Sequence, residues 1–133
     1  MSGYLGTNIL VRYLTGQPPP LADQAARIID TVEGLRLTDV VLTEAAYVLA
    51  SVYHVPRHEV VDALVDFVQK QNILIHGMDK GLAIEALRLC RPSGRVSFAD
   101  ALLWAAARSA PPHRVYTLDE RFPTAAIETR SSP

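Results

Sequence analysis

Tyr4-Leu5-Gly6-Thr7-Asn8-Ile9-Leu10-Val11-Arg12-Tyr13-Leu14 decides how the rest of the chain is read. A short apolar opening is followed by a Thr-Asn pair able to cap a helix, then by Ile9, Leu10, Tyr13 and Leu14 at helical spacing. This pattern predicts a strand that turns directly into a helix. Open α/β sheets bind ligands beyond the carboxyl ends of their strands, so the residue just before Thr7 is expected to face any active site. That residue is Gly6, which has no side chain.

Downstream, strand and helix patterns alternate. Ala25, Ile28, Ile29 and Val32 predict an amphipathic helix over 21–33, ended by Gly34, and Leu35 to Leu37 a brief strand. From Asp39, read as a cap, apolar residues on all sides predict a largely buried helix carrying Glu44. Pro56 opens the next helix, and Ile73-Leu74-Ile75 has the all-apolar pattern of a central parallel strand. Helices are expected over 80–91 and, after Ser97, over 98–109, then a strand over 114–118 and a last edge strand over 125–127. Strands separated by helices imply a mainly parallel α/β sheet with helices on both faces.

With 133 residues and 49% hydrophobic content the chain is read as a single domain, 1–133, with ample core. A net charge of -1 excludes a strongly basic surface, so electrostatics alone would not hold RNA or an anionic membrane. The single cysteine, Cys90, fits a buried apolar position and a reducing, cytoplasmic setting. No apolar run is long enough to span a membrane, and the expectation is a soluble, unprocessed chain. Scattered histidines argue against a zinc site, and P-loop, Gly-x-Gly-x-x-Gly and Gly-x-Ser-x-Gly motifs are missing.

Three acids stand at strand ends or inside apolar helices. Glu44 is either an acid near the positive end of its helix or a functional carboxylate that needs a partner. Asp100 follows Ser97 with capping-box spacing, and Asp119 could be an ordinary turn residue. Converging carboxylates are the chemistry that hard divalent cations prefer.

Taken together, these motifs resemble those of PIN-domain ribonucleases, above all the VapC-type toxins of VapBC toxin–antitoxin pairs. That family begins with a strand ending in Asp-Thr-Asn, and here Gly6-Thr7-Asn8 stands in its place. Asp100 before Ala101-Leu102 resembles the second signature, Thr117-Leu118-Asp119 the third, and Thr43-Glu44 sits where the family has its helical Glu. The resemblance covers essentially the whole chain. It implies a three-layer α/β/α domain around a central, mainly parallel sheet of four to five strands. It also implies a Mg2+- or Mn2+-dependent endoribonuclease acting on structured RNA such as tRNA, with Glu44, Asp100 and Asp119 as catalytic acids. Asp100 would be a metal ligand, Gly6 would mark the missing one, and Thr7, Asn8 and Thr117 would support by hydrogen bonds. The expected partners are a VapB-like antitoxin, RNA and a second copy of the chain, with no membrane. Gly6 would inactivate or weaken the enzyme; the alternative is a non-catalytic PIN module that binds antitoxin or RNA without cutting.

Overall fold

The computed structural model describes residues 2–133. Eleven elements follow in the order β1 (Gly3–Tyr4), α1 (Thr7–Thr15), α2 (Pro19–Thr31), β2 (Leu35–Leu37), α3 (Asp39–Ser51), α4 (Arg57–Val68), β3 (Ile73–Ile75), α5 (Lys80–Leu89), α6 (Phe98–Ser109), β4 (Arg114–Tyr116) and β5 (Glu128–Arg130). All strand pairings are parallel. Five strands and six helices give the expected α/β class, with the ladders divided into a three-stranded sheet, β1-β2-β3, and a separate pair, β4-β5.

One apolar cluster joins the layers. Leu10 of α1, Leu42 of α3, Leu64 of α4, Ile73 of β3, Leu87 of α5 and Trp104 of α6 are all at most 1% exposed. Each such aliphatic side chain contributes about 1.5–3 kcal/mol by leaving water. Where helices end inside this frame, long polar side chains satisfy the freed carbonyls. Asn72 Nδ2 donates to the Ile29 and Val32 carbonyls, at 2.7 and 2.9 Å, closing the end of α2. Lys80 Nζ donates to the Lys70 and Ile73 carbonyls at 2.7 Å each, and burial pushes its pKa down.

Several expectations need correction. Ile73-Leu74-Ile75 is not a central strand: β2 is in the middle and β3 pairs only with it, leaving Leu74 43% exposed. Apolarity along three residues reports what could be buried, not where the strand lies in the order. The helix carrying Glu44 is not largely buried, because Val40, Tyr47 and Val52 of that region are 68%, 69% and 62% exposed. Glu44 lies on that exposed side, which removes the argument that it is a buried carboxylate in need of a partner. Thr38, not Asp39, caps α3, its side chain accepting from the Val41 amide. Neither Thr7 nor Asn8 caps α1: the capping position is Gly6, which supplies no side-chain bond. The last strand is Glu128–Arg130 rather than 125–127.

Cys90 has the expected place. It is fully buried beneath the C-terminus of α5, and burial raises its pKa from an ordinary 9.0 to about 11, opposed by the nearby Arg57 guanidinium. An unfolded thiol ionises near 9 while the folded one stays protonated, so this contribution is fully present below pH 9 and is lost as pH rises through 11. We expect denaturation midpoints to fall more steeply between pH 8.5 and 10.5 in the native chain than in Cys90→Ala. Parallel pH profiles for the two would refute the assignment.

Candidate active site

The chain leaves β1 at Leu5, buried in the core, and turns at Gly6 with φ -84° and ψ 158°. This is ordinary extended backbone, open to any residue. A Cβ placed on Gly6 would meet only Asn8 Oδ1, at 3.8 Å, within the nearest shell of atoms. Thr7 and Asn8 then form the first turn of α1, and Arg12, one turn beyond Asn8, shares their side of the helix. These three residues and Glu44, with Val48 and Tyr53, line a cleft of about 430 Å³.

Glu44 also borders a second cleft of about 520 Å³, where Asp39, Thr43 and Tyr47 of α3 face Ala99 and Leu102 of α6. It therefore stands between the head of α1 and the head of α6. Asp100 lies in the first turn of α6 and is partly exposed. Ser97 Oγ accepts from the Asp100 amide at 3.1 Å, half of the capping box. Among the described residues the Asp100 carboxylate returns no bond to the Ser97 amide, which leaves its oxygens free for another partner.

A single arginine fixes the loop that delivers Asp100. Arg57, the first residue of α4, donates through Nε to the Cys90 carbonyl and through Nη2 to the Val96 carbonyl at 2.6 Å. Its guanidinium also lies 4.7 Å from the centre of the Phe98 ring. Sequence reasoning misses Arg57, because its partners are main-chain carbonyls that leave no pattern of complementary residues.

Asp119 is placed elsewhere. With Thr117, Phe122 and Arg130 it borders a third cleft, of about 260 Å³. Its Oδ1 accepts from the Arg121 amide at 2.8 Å and its own amide donates to Thr117 Oγ1 at 3.1 Å, a local turn network. Arg121 Nε is 3.7 Å from the same carboxylate oxygen.

The structure thus brings Glu44 together with Thr7, Asn8 and Arg12, and sets Asp119 with Thr117 in a different cleft. Among the described residues no group of three or more His, Cys, Asp or Glu is arranged to hold a metal ion. A hard divalent cation takes about six oxygens, several of them from carboxylates. The side chains as they stand do not fit one.

The PIN-domain family model matches residues 4–128, nearly the whole chain. The chain belongs to the PIN-domain family. No curated protein and no solved structure matches it. PIN domains are typically nucleases that use divalent metal ions, so nuclease chemistry is the general expectation for this PIN domain. At the head of the first helix Gly6 presents no side chain. No helix among the described residues is long and apolar enough to cross a membrane.

Proposed function

We propose that this PIN domain is the toxin of a VapBC-type toxin–antitoxin pair, an endoribonuclease dependent on Mg2+ or Mn2+ and weakened or silenced by Gly6. Structured RNA such as tRNA is its substrate, Glu44, Asp100 and Asp119 are its acids, and Thr7, Asn8 and Thr117 support them. The carrying observation is the unobstructed, extended Gly6 beside Thr7 and Asn8, whose cleft Glu44 shares. With an Asp at position 6, that carboxylate and Glu44 would hold a divalent cation, whose chemistry would be to polarise a phosphoryl oxygen and activate water. The test is metal-dependent cleavage of a tRNA pool by the chain as it stands and by Gly6→Asp. No cleavage by either protein would refute the nuclease reading.

A second reading has its own support. The lack, among the described residues, of three acids placed to hold one ion favours a PIN module that binds antitoxin or RNA without cutting. Binding with no cleavage after Gly6→Asp is its signature.

The proposed partners are a VapB-like antitoxin in the cytoplasm and a second copy of the chain. Exposed Val40 and Tyr47, which line one cleft with Ala99 and Leu102 of α6, support a protein-covered face, since grouped apolar side chains usually mark an interaction site. Sedimentation of the antitoxin-free protein at micromolar concentration should give a dimer. A monomer throughout that range would remove the homodimer from the proposal.

A further inference from the structure

Strand alternation leaves one row of the three-stranded sheet open to solvent. Register sets Tyr4, Arg36 and Leu74 side by side across β1, β2 and β3. Tyr4 is 62% and Leu74 43% exposed, and Arg36 is exposed between them, whereas Leu35 and Ile73 of the adjoining row are buried. His76 extends the ladder of β3, its amide donating to the Leu37 carbonyl at 2.9 Å. Its ring meets Tyr4 edge-on, with centroids 5.6 Å apart, planes at 66° and Tyr4 Oη 3.3 Å from Nδ1. An edge-on neighbour steadies the Tyr4 ring without covering both its faces. Arg36, like Arg12, Arg27, Arg57, Arg88 and Arg95, has no carboxylate partner among the described residues, and of these six it alone stands in the open row of the sheet.

We propose that this open row binds a single-stranded segment of RNA, with an unpaired base stacked on Tyr4 beside His76 and a neighbouring phosphate held by Arg36. The proposal deepens the nuclease reading, and rests on it for RNA as the polymer. Aromatic faces on a sheet take bases only where these are not already paired and stacked, which selects single strands. A guanidinium without a partner matches a phosphate in charge and in fork geometry, and would be costly to bury beneath an apolar partner. A second copy of the chain fits poorly: three exposed side chains and a histidine fall far short of the roughly 800 Å² per partner that a stable interface buries. Position matters as well. Tyr4 and Gly6 are alternate residues on either side of buried Leu5, so the Tyr4 end of the row lies roughly 7 Å, two strand residues, from the head of α1.

The test reads binding without cleavage. Fluorescence anisotropy of a labelled 12-nucleotide oligouridine is followed in EDTA with the full chain and its variants. We expect Tyr4→Ala to weaken binding about tenfold and Tyr4→Phe to bind within about twofold of the native chain. Arg36→Gln should weaken binding and lower the salt slope by about one, and Arg95→Gln, off the sheet, should match the native chain. Unchanged melting temperatures confirm that each variant is folded. The proposal is overturned if the native chain does not bind the oligonucleotide, if Tyr4→Ala binds as tightly, or if a duplex of equal length binds better. It is also overturned if Tyr4→Ala converts a dimer to a monomer, which would assign the row to a second copy. If the row fails while Gly6→Asp cuts RNA, the nuclease reading stands. If Tyr4 and Arg36 bind RNA that Gly6→Asp cannot cut, the nuclease reading falls and the binding row stands.

Discussion

Gly6→Asp is expected to turn a weak or inactive protein into a metal-dependent ribonuclease, with cleavage faster by at least about 10- to 100-fold. The lower bound is the cost of losing a mere supporting group at a metal site, and a direct ligand should count for more. Space and backbone both permit the change: the position is extended, and the nearest atom to an added Cβ is 3.8 Å away. The same substitution has a second effect that must be separated from the first. Position 6 caps α1 with no side-chain bond, and an Asp there would accept from an amide of the first turn. Replacing a capping Gly by Asp or Asn is worth only a few tenths of a kcal/mol, about equally for both. Gly6→Asn therefore keeps the cap and a coordinating oxygen but omits the charge. The measurements are cleavage of a tRNA pool with Mg2+ or Mn2+ and melting temperature with and without the ion. Gly6→Asp should melt higher as metal is added, following its site occupancy, and Gly6→Asn much less. Equal cleavage by the native chain and by Gly6→Asp would show that position 6 is not at the metal site.

The second large effect is on stability. Trp104, 1% exposed at the centre of α6, packs in the core, donates through Nε1 to the Ala125 carbonyl at 3.0 Å, and carries Arg108 5.2 Å above its ring. Trp104→Ala should cost about 3–5 kcal/mol, because it removes the largest buried side chain and leaves a cavity that helices can only partly close. Trp104→Phe separates the components: it keeps most of the apolar body and loses one hydrogen bond to a carbonyl of an exposed residue, about 1 kcal/mol. Urea denaturation followed by circular dichroism measures both. If Phe is as damaging as Ala, the hydrogen bond to the 119–127 segment, and not burial, carries the stability.

Much of this molecule is legible in its sequence, for reasons that differ by element. Ser97 and the helix 98–109 can be read directly because a cap and an apolar stripe are local signals, decided within a few residues. Gly34, at φ 68°, stands out because left-handed backbone selects glycine. The order of strands is not readable from Ile73-Leu74-Ile75, since pairing partners lie tens of residues away. Nor is the exposure of Glu44: Val40, Tyr47 and Val52 are apolar residues facing solvent, so apolarity on all sides of α3 overstates its burial. For the site, Thr7, Asn8 and Glu44 line one cleft, whereas Asp119 borders another. Arg57, Asn72 and Lys80 leave no sequence signal because each serves carbonyl oxygens, which every residue has.

The division of the strands into β1-β2-β3 and β4-β5 sets the candidate acids beside two different ladders. Gly6 and Glu44 belong with the three-stranded sheet and its helices, while Asp119 follows β4. Among the described residues no backbone ladder crosses between the two groups of strands; the shared apolar core, which includes Val115 and Phe122, and the Trp104–Ala125 hydrogen bond join them. Packing resists sliding less sharply than a row of hydrogen bonds does, so local opening of β4 and β5 is expected to cost less than opening of β2. If Glu44 and Asp119 were to hold one cation in the Gly6→Asp protein, that opening would become costlier. Amide hydrogen exchange in β4 and β5 of the Gly6→Asp protein should therefore slow when Mn2+ is added, and exchange in β2 should not.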